Sequence, residues 1–167
     1  MNDKYISAVH FVIDKCKDPY KLGSIKLNKI LLFTDGILLM KTNKTLTGDT
    51  YIKKQRGPVP KNISAILNKL ESENLISIRK GNDNTKLFFS LKEPYISNLT
   101  SVEIDVLLSI TMDIYNNYKA KEISNITHKN KLWKLLDLDE EIDLYSYFIA
   151  KPSEISKEDV NWALNIW

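Results

Sequence analysis

Two histidines and one cysteine supply all the imidazole and thiol chemistry in these 167 residues. His10 and Asp14 lie four apart, which puts two side chains on one helical face, so they could form an acid–base dyad. Cys16 is six residues from His10, about 600° of helix rotation, and faces elsewhere. A cysteine–histidine nucleophile is therefore geometrically poor, and His10 reads as a surface or half-buried side chain. Asp137, Asp139, Glu140, Glu141 and Asp143 form an acidic cluster. A calcium loop needs a glycine at its sharp turn, and this segment has none, so it reads as a solvated acidic loop. The glycines at 23, 36, 48, 57 and 81 stand singly, so there is no glycine-rich phosphate loop. A lone cysteine also excludes an intramolecular disulfide and a cysteine-based zinc cage. The sequence shows no catalytic constellation, cofactor motif or metal set, and reads as a non-enzyme.

Basic residues carry the stronger signal. Residues 1–92 hold 17 Lys and Arg against 8 Asp and Glu, and residues 93–167 hold 7 against 13. A half charged +9 thus precedes one charged −6. The basic half suits an acidic partner, either nucleic acid or an acidic protein surface. One candidate contact is the run Lys53, Lys54, Arg56, Pro58, Val59, Pro60 and Lys61. Two prolines restrict φ, so docking orders little chain. Val59 offers an apolar contact and the basic side chains a charged rim. The same run could instead join a strand to a helix, with Val59 filling core. The other candidate, for DNA, is Lys61, Asn62, Asn68 and Lys69 with Arg79, Lys80 and Lys86, residue types that reach phosphates and base edges.

These side chains need elements to hold them. Tyr5, Val9, Val12 and Cys16 recur at helical spacing, and the helix stops near Asp18-Pro19. A second helix begins after Gly23 with Ser24 as its cap and runs to about Thr42. Leu27, Ile30, Leu31, Leu32, Phe33, Ile37 and Leu38 cover most of its sides, which makes it the central buried helix. A turn-rich connector leads to a strand over 50–55, and 56–60 reads as an exposed, extended or turning loop. Asn62 caps a helix with Ile63, Ile66, Leu67 and Leu70 on one stripe. The runs 75–80 and 85–91, joined by Gly81-Asn82-Asp83-Asn84, read as a hairpin. Further helices are expected from Thr100 or Ser101, over 120–126, over 129–136 and over 157–166. The sum is a mainly helical α+β domain spanning 1–167, with a small antiparallel sheet and a winged-helix-like β-hairpin.

Apolar residues make up 43% of the chain, and no run approaches the roughly 20 residues of a membrane span. The N-terminus lacks the basic-then-apolar order of a secretory signal. The expectation is a soluble, reduced, cytoplasmic protein with no membrane partner and no small-molecule substrate.

Three ordered blocks resemble a known family. They are the helix Leu27-Asn28-Lys29-Ile30-Leu31-Leu32-Phe33-Thr34-Asp35-Gly36, the stretch Lys53–Pro60 with its Gly-Pro-Val, and Lys121–His128 followed by Trp133. Together they resemble the Panacea (SocA-like) antitoxin domain, which includes phage-associated GepA-type bacterial proteins, over about residues 5–165. The resemblance implies a non-enzymatic antitoxin that neutralises a cognate protein toxin, encoded by an adjacent gene, through direct stoichiometric binding. In the SocA branch the antitoxin also delivers its toxin to the ClpXP protease. Family members commonly carry an aromatic residue before the position of Gly57, where this chain has Arg56. They also often have a tryptophan upstream, where this chain has lysines, which suits a more acidic toxin face. The competing class is a winged-helix transcription regulator binding operator DNA, including autoregulation of its own operon.

Overall fold

The computed structural model describes residues 3–148, and the helix expected over 157–166 lies outside them. Helix α1 (Asp3–Lys15) buries Val9 and Val12 against α2 (Pro19–Thr42), the axis of the molecule. Asp18 caps α2 by accepting the Tyr20 N–H at 2.9 Å, with Pro19 in the first turn, where a missing donor costs nothing. Gly23, at φ +59°, then breaks the helical geometry before the long run to Thr42. The break expected at Gly23-Ser24 is real, but a capped turn precedes it. Asn43 closes the helix in the left-handed conformation, its N–H on the Leu39 carbonyl at 2.9 Å. Leu27, Ile30, Leu31 and Leu32 are all buried, so α2 is surrounded as its sequence requires.

Strands β1 (Tyr51–Lys54) and β2 (Gly57–Pro60) pair antiparallel, Tyr51 opposite Pro60 and Lys54 opposite Gly57. The exposed loop expected over 56–60 is thus overturned from Gly57 onward. The segment is a strand, with Gly57, Pro58 and Pro60 buried and Val59 half-buried against the main core. Prolines are compatible with it because β2 is the edge of the sheet and needs donors on one side only. Helix α3 (Ile63–Ser72) follows; Asn62 stands before it without capping it, bonded instead to the Asp49 carboxylate. Strands β3 (Ile76–Lys80) and β4 (Lys86–Ser90) form the expected hairpin. Strand β1 does not join it, so there are two separate small sheets.

Helix α4 (Ser101–Asn117) starts with a reciprocal Thr100–Glu103 capping box, and Lys4 ties α1 to it through Glu103 at 2.7 Å. Helices α5 (Ala120–His128) and α6 (Lys131–Leu135) come next. Strand β5 (Glu141–Ile142) then pairs with β1, Ile142 opposite Tyr51, and α7 (Leu144–Phe148) follows. The acidic run is therefore not simply a solvated loop. Burial of Ile142 pulls it onto the sheet, and Asp139 and Glu141 land beside Lys54 and Lys61.

His10 is buried rather than superficial. Its Nε2 lies 3.2 Å from the Ser90 Oγ, and burial chiefly holds its basicity down. Cys16 is buried too, its thiol pushed up to about 12 by desolvation, a poor state for a nucleophile. Among the described residues no helix is long and apolar enough to cross a membrane.

Candidate functional site

The three sequence blocks meet around β2. Lys29 on α2 is 1% exposed and donates its Nζ to the Pro58 carbonyl at 2.8 Å. Gly57 packs against it at φ +94°, and a Cβ there would fall 2.9 Å from the Lys29 Nζ and closer still to Thr127 Oγ1. Only glycine fits both that backbone and that space. From α5, the Ser124 Oγ donates to the Arg56 carbonyl at 3.0 Å and lies 3.4 Å from the His128 Nε2. The His128 ring stacks on Trp133 at 4.0 Å, and the Lys53 Nζ sits 4.3 Å above the Trp133 ring. Thus α2, β1–β2 and α5–α6 converge on one patch in which Arg56 is exposed and Lys53, His128 and Trp133 are half-buried.

A second anchor lies deeper. Asp35, fully buried on α2, accepts the Leu46 N–H at 2.7 Å and the Thr47 N–H at 3.0 Å. It also accepts the Thr47 hydroxyl and, at 2.9 Å, the Tyr51 hydroxyl. Burial raises its carboxyl pKa while these bonds oppose the rise. The Tyr51 phenol is pushed well up, by burial first and then by Asp35. Burial alone lowers the Lys29 ammonium to about 7. His128 is lowered by burial, then by the nearby Lys29 and Lys53 charges.

The candidate toxin-contact residues divide sharply. The Lys53 Nζ also donates to the Leu136 carbonyl at 2.6 Å, Lys54 pairs with Asp139, and Lys61 pairs with Glu141 at 2.9 Å. Glu141 raises the Lys61 pKa through that bond. Pro58 and Pro60 are buried, Val59 is half-buried, and Arg56 is exposed without an ion pair among the described residues. Several residues of the candidate DNA set also make contacts within the chain. Asn62 is held by Asp49, Lys69 lies 3.8 Å from Glu73, and Arg79 lies 4.9 Å from the Phe89 ring. Asn68, Lys80 and Lys86 remain exposed.

Sequence reasoning missed Lys29, Asp35, Ser124 and Thr127 as the residues that hold the patch together. The available signal was Lys29 and Asp35 inside the apolar run 27–38 of α2, since such groups stay buried only when something partners them. No group of three or more His, Cys, Asp and Glu side chains among the described residues could hold a metal ion.

The geometry coincides with a family match. The family model described as antitoxin SocA-like, Panacea domain, matches residues 27–134. No curated protein and no solved structure matches the chain. The matched span begins at Leu27, two residues before Lys29, and ends at Lys134, just past Trp133, so it holds all three converging blocks. This chain belongs to the antitoxin SocA-like, Panacea domain family.

Proposed function

We propose that the protein is an antitoxin that neutralises a cognate protein toxin, encoded by an adjacent gene, by direct stoichiometric binding. The observation that carries this reading is the convergence of the family's span on one braced patch, with Arg56 exposed and Lys53, His128 and Trp133 half-buried. The patch is preorganised. The Pro58 carbonyl of β2 is taken by Lys29, and the turn before β2 is pinned by Ser124, so little order remains to be imposed on docking. Tryptophan and arginine are also the residue types most often dominant in protein–protein binding. In this reading Lys53, Lys54, Arg56 and Lys61 form the basic rim towards an acidic toxin surface, and Pro58, Val59 and Pro60 set its shape.

The test is co-expression with each neighbouring open reading frame, scoring growth rescue and co-purification at fixed stoichiometry. Rescue by the wild type together with loss of rescue by Arg56→Glu/Trp133→Ala is the expected result. A neighbour whose toxicity the intact chain does not relieve, for every neighbour tried, would sink the reading. Repeating the rescue in a strain lacking ClpXP separates simple sequestration, which persists, from delivery to that protease, which is lost.

A further inference from the structure

While the rim lysines Lys54 and Lys61 are paired with carboxylates, a second concentration of positive charge is in no ion pair among the described residues. A cavity of about 570 Å³ opens between the first turns of α2, the β3–β4 loop, Arg56 and the start of α5. Lys21, Lys26, Arg56, Lys86 and Lys119 line it, against the single carboxylate of Asp83. That carboxylate is already engaged by Thr85, whose N–H it accepts at 3.0 Å, and this holds its carboxyl below the usual range. None of the five cations is in an ion pair among the described residues. Lys26, 4% exposed, gives its Nζ to the neutral Tyr115 carbonyl at 3.1 Å. Lys21 reaches only the Asn116 Oδ1 at 3.4 Å and the face of the Tyr115 ring. Like charges along a concave, low-dielectric wall focus a positive potential into the cavity. Burial first and then the Lys21 charge depress the Lys26 ammonium, against a smaller opposing pull from Cys16 and Glu122. Beside these groups stands Tyr20, an aromatic side chain 72% exposed.

We propose that this cavity binds a nucleotide, its phosphate groups held by the lysine and arginine side chains and its base laid on the Tyr20 ring. The volume falls in the range of small-molecule sites. Phosphate oxygens match both the planar fork of arginine and the point charges of lysine, and they supply more negative charge than one carboxylate. An exposed aromatic beside a basic groove is the usual platform for a base, whose flat face stacks whatever its identity. The ligand could be free or the end of a strand, and the recognising chemistry is the same. The site shares only Arg56 with the proposed toxin face and stands or falls apart from toxin neutralisation.

Calorimetric titration of the full chain at low salt with ATP, with inorganic phosphate and with a short 5′-phosphorylated single-stranded oligonucleotide tests the assignment. ATP or the oligonucleotide should bind, more weakly as salt rises. Lys86→Glu and Lys119→Glu, both at exposed positions, should each lower that affinity about tenfold, the loss expected for one charge-assisted contact. Tyr20→Ala should weaken ATP binding and leave inorganic phosphate unchanged, and Lys44→Glu, outside the cavity, should change neither. ATP binding equal to or tighter than the oligonucleotide identifies a free nucleotide; binding of the oligonucleotide alone identifies a strand end. No binding of any of the three, or binding indifferent to Lys86→Glu and Lys119→Glu, overturns the site. Inorganic phosphate binding as well as ATP, or a toxin protein captured through these same residues without nucleotide affinity, overturns the nucleotide assignment.

Discussion

Two charged side chains six residues apart on α2 face the same problem and solve it differently. Asp35 and Lys29 are both essentially sealed from water. Asp35 accepts four hydrogen bonds from Leu46, Thr47 and Tyr51, all within 16 residues along the chain. Lys29 gives one, to a carbonyl 29 residues away, although an ammonium has three donors. The carboxylate is thus locally over-provided and the ammonium under-provided. Desolvation therefore meets opposition at Asp35 and none at Lys29, which is why Lys29 falls to about 7. A buried charge is tolerable when nearby backbone supplies the partners, and becomes a titrating liability when it must wait for a distant one. Both nevertheless pin the β1–β2 hairpin to α2, Asp35 through Tyr51 and Lys29 through Pro58.

The most disruptive way to break that contrast is Asp35→Ala. It strands two buried N–H groups and a buried phenol, and should cost about 3–5 kcal/mol in denaturant unfolding, the loss seen when one partner of a buried charged network is removed. Asp35→Asn should cost only about 1 kcal/mol, because its oxygen still accepts the two N–H groups while its amide can donate to the two hydroxyls. Equal losses for both variants would mean that the charge, and not the bonding, matters.

Gly57→Ala comes next, at about 2 kcal/mol, because its backbone lies at positive φ and its Cβ would press on Lys29 and Thr127. A thermal melt within error of wild type would show that β2 can lift from α2, and that Lys29 is not confined there.

Lys29 itself predicts a pH signature. Its ammonium pKa is about 10.5 in the unfolded chain and about 7 in the folded one. Between those values the unfolded chain binds more protons, so stability should rise with pH; the penalty is fullest below about 7. The difference between wild type and Lys29→Met should therefore shift by about 2 kcal/mol between pH 7 and 9 in favour of wild type. Chemical denaturation across that range, giving parallel curves for the two proteins, would place the Lys29 charge in contact with water.

The same contrast shows what could be read along the chain. The central helix, the 76–90 hairpin and the Thr100 cap all announce themselves through local devices: an all-round apolar run, a turn with glycine and asparagines, and a capping box. Asp35 and Lys29 were visible as misfits in an apolar run, but their partners were not, because the pairing depends on where 46–58 folds back. Residues 56–60 misled for a related reason. Two prolines argue against a helix and against a central strand, and only the sheet order reveals that β2 is an edge. In the acidic cluster the charges dominate the sequence, while Ile142, its single buried apolar residue, decides its place.

The smallest expected effect lies where the charges never left water. Lys54→Ala and Lys61→Ala remove exposed ion pairs with Asp139 and Glu141, and each should change stability by at most about 0.5 kcal/mol. At the surface, water is as good a partner as the carboxylate, so the pairing orders side chains without adding much free energy. Salt should erase even that difference, since exposed pairs are screened within about 10 Å at ordinary ionic strength. A loss above 1 kcal/mol that survives high salt would mean that these lysines hold β5 against β1, making the basic rim a structural clasp. Toxin neutralisation by the same two variants then separates the roles. Near-native stability with failed growth rescue assigns the lysines to the partner, whereas intact rescue leaves Arg56, exposed and in no ion pair among the described residues, and Trp133 as the residues that contact it.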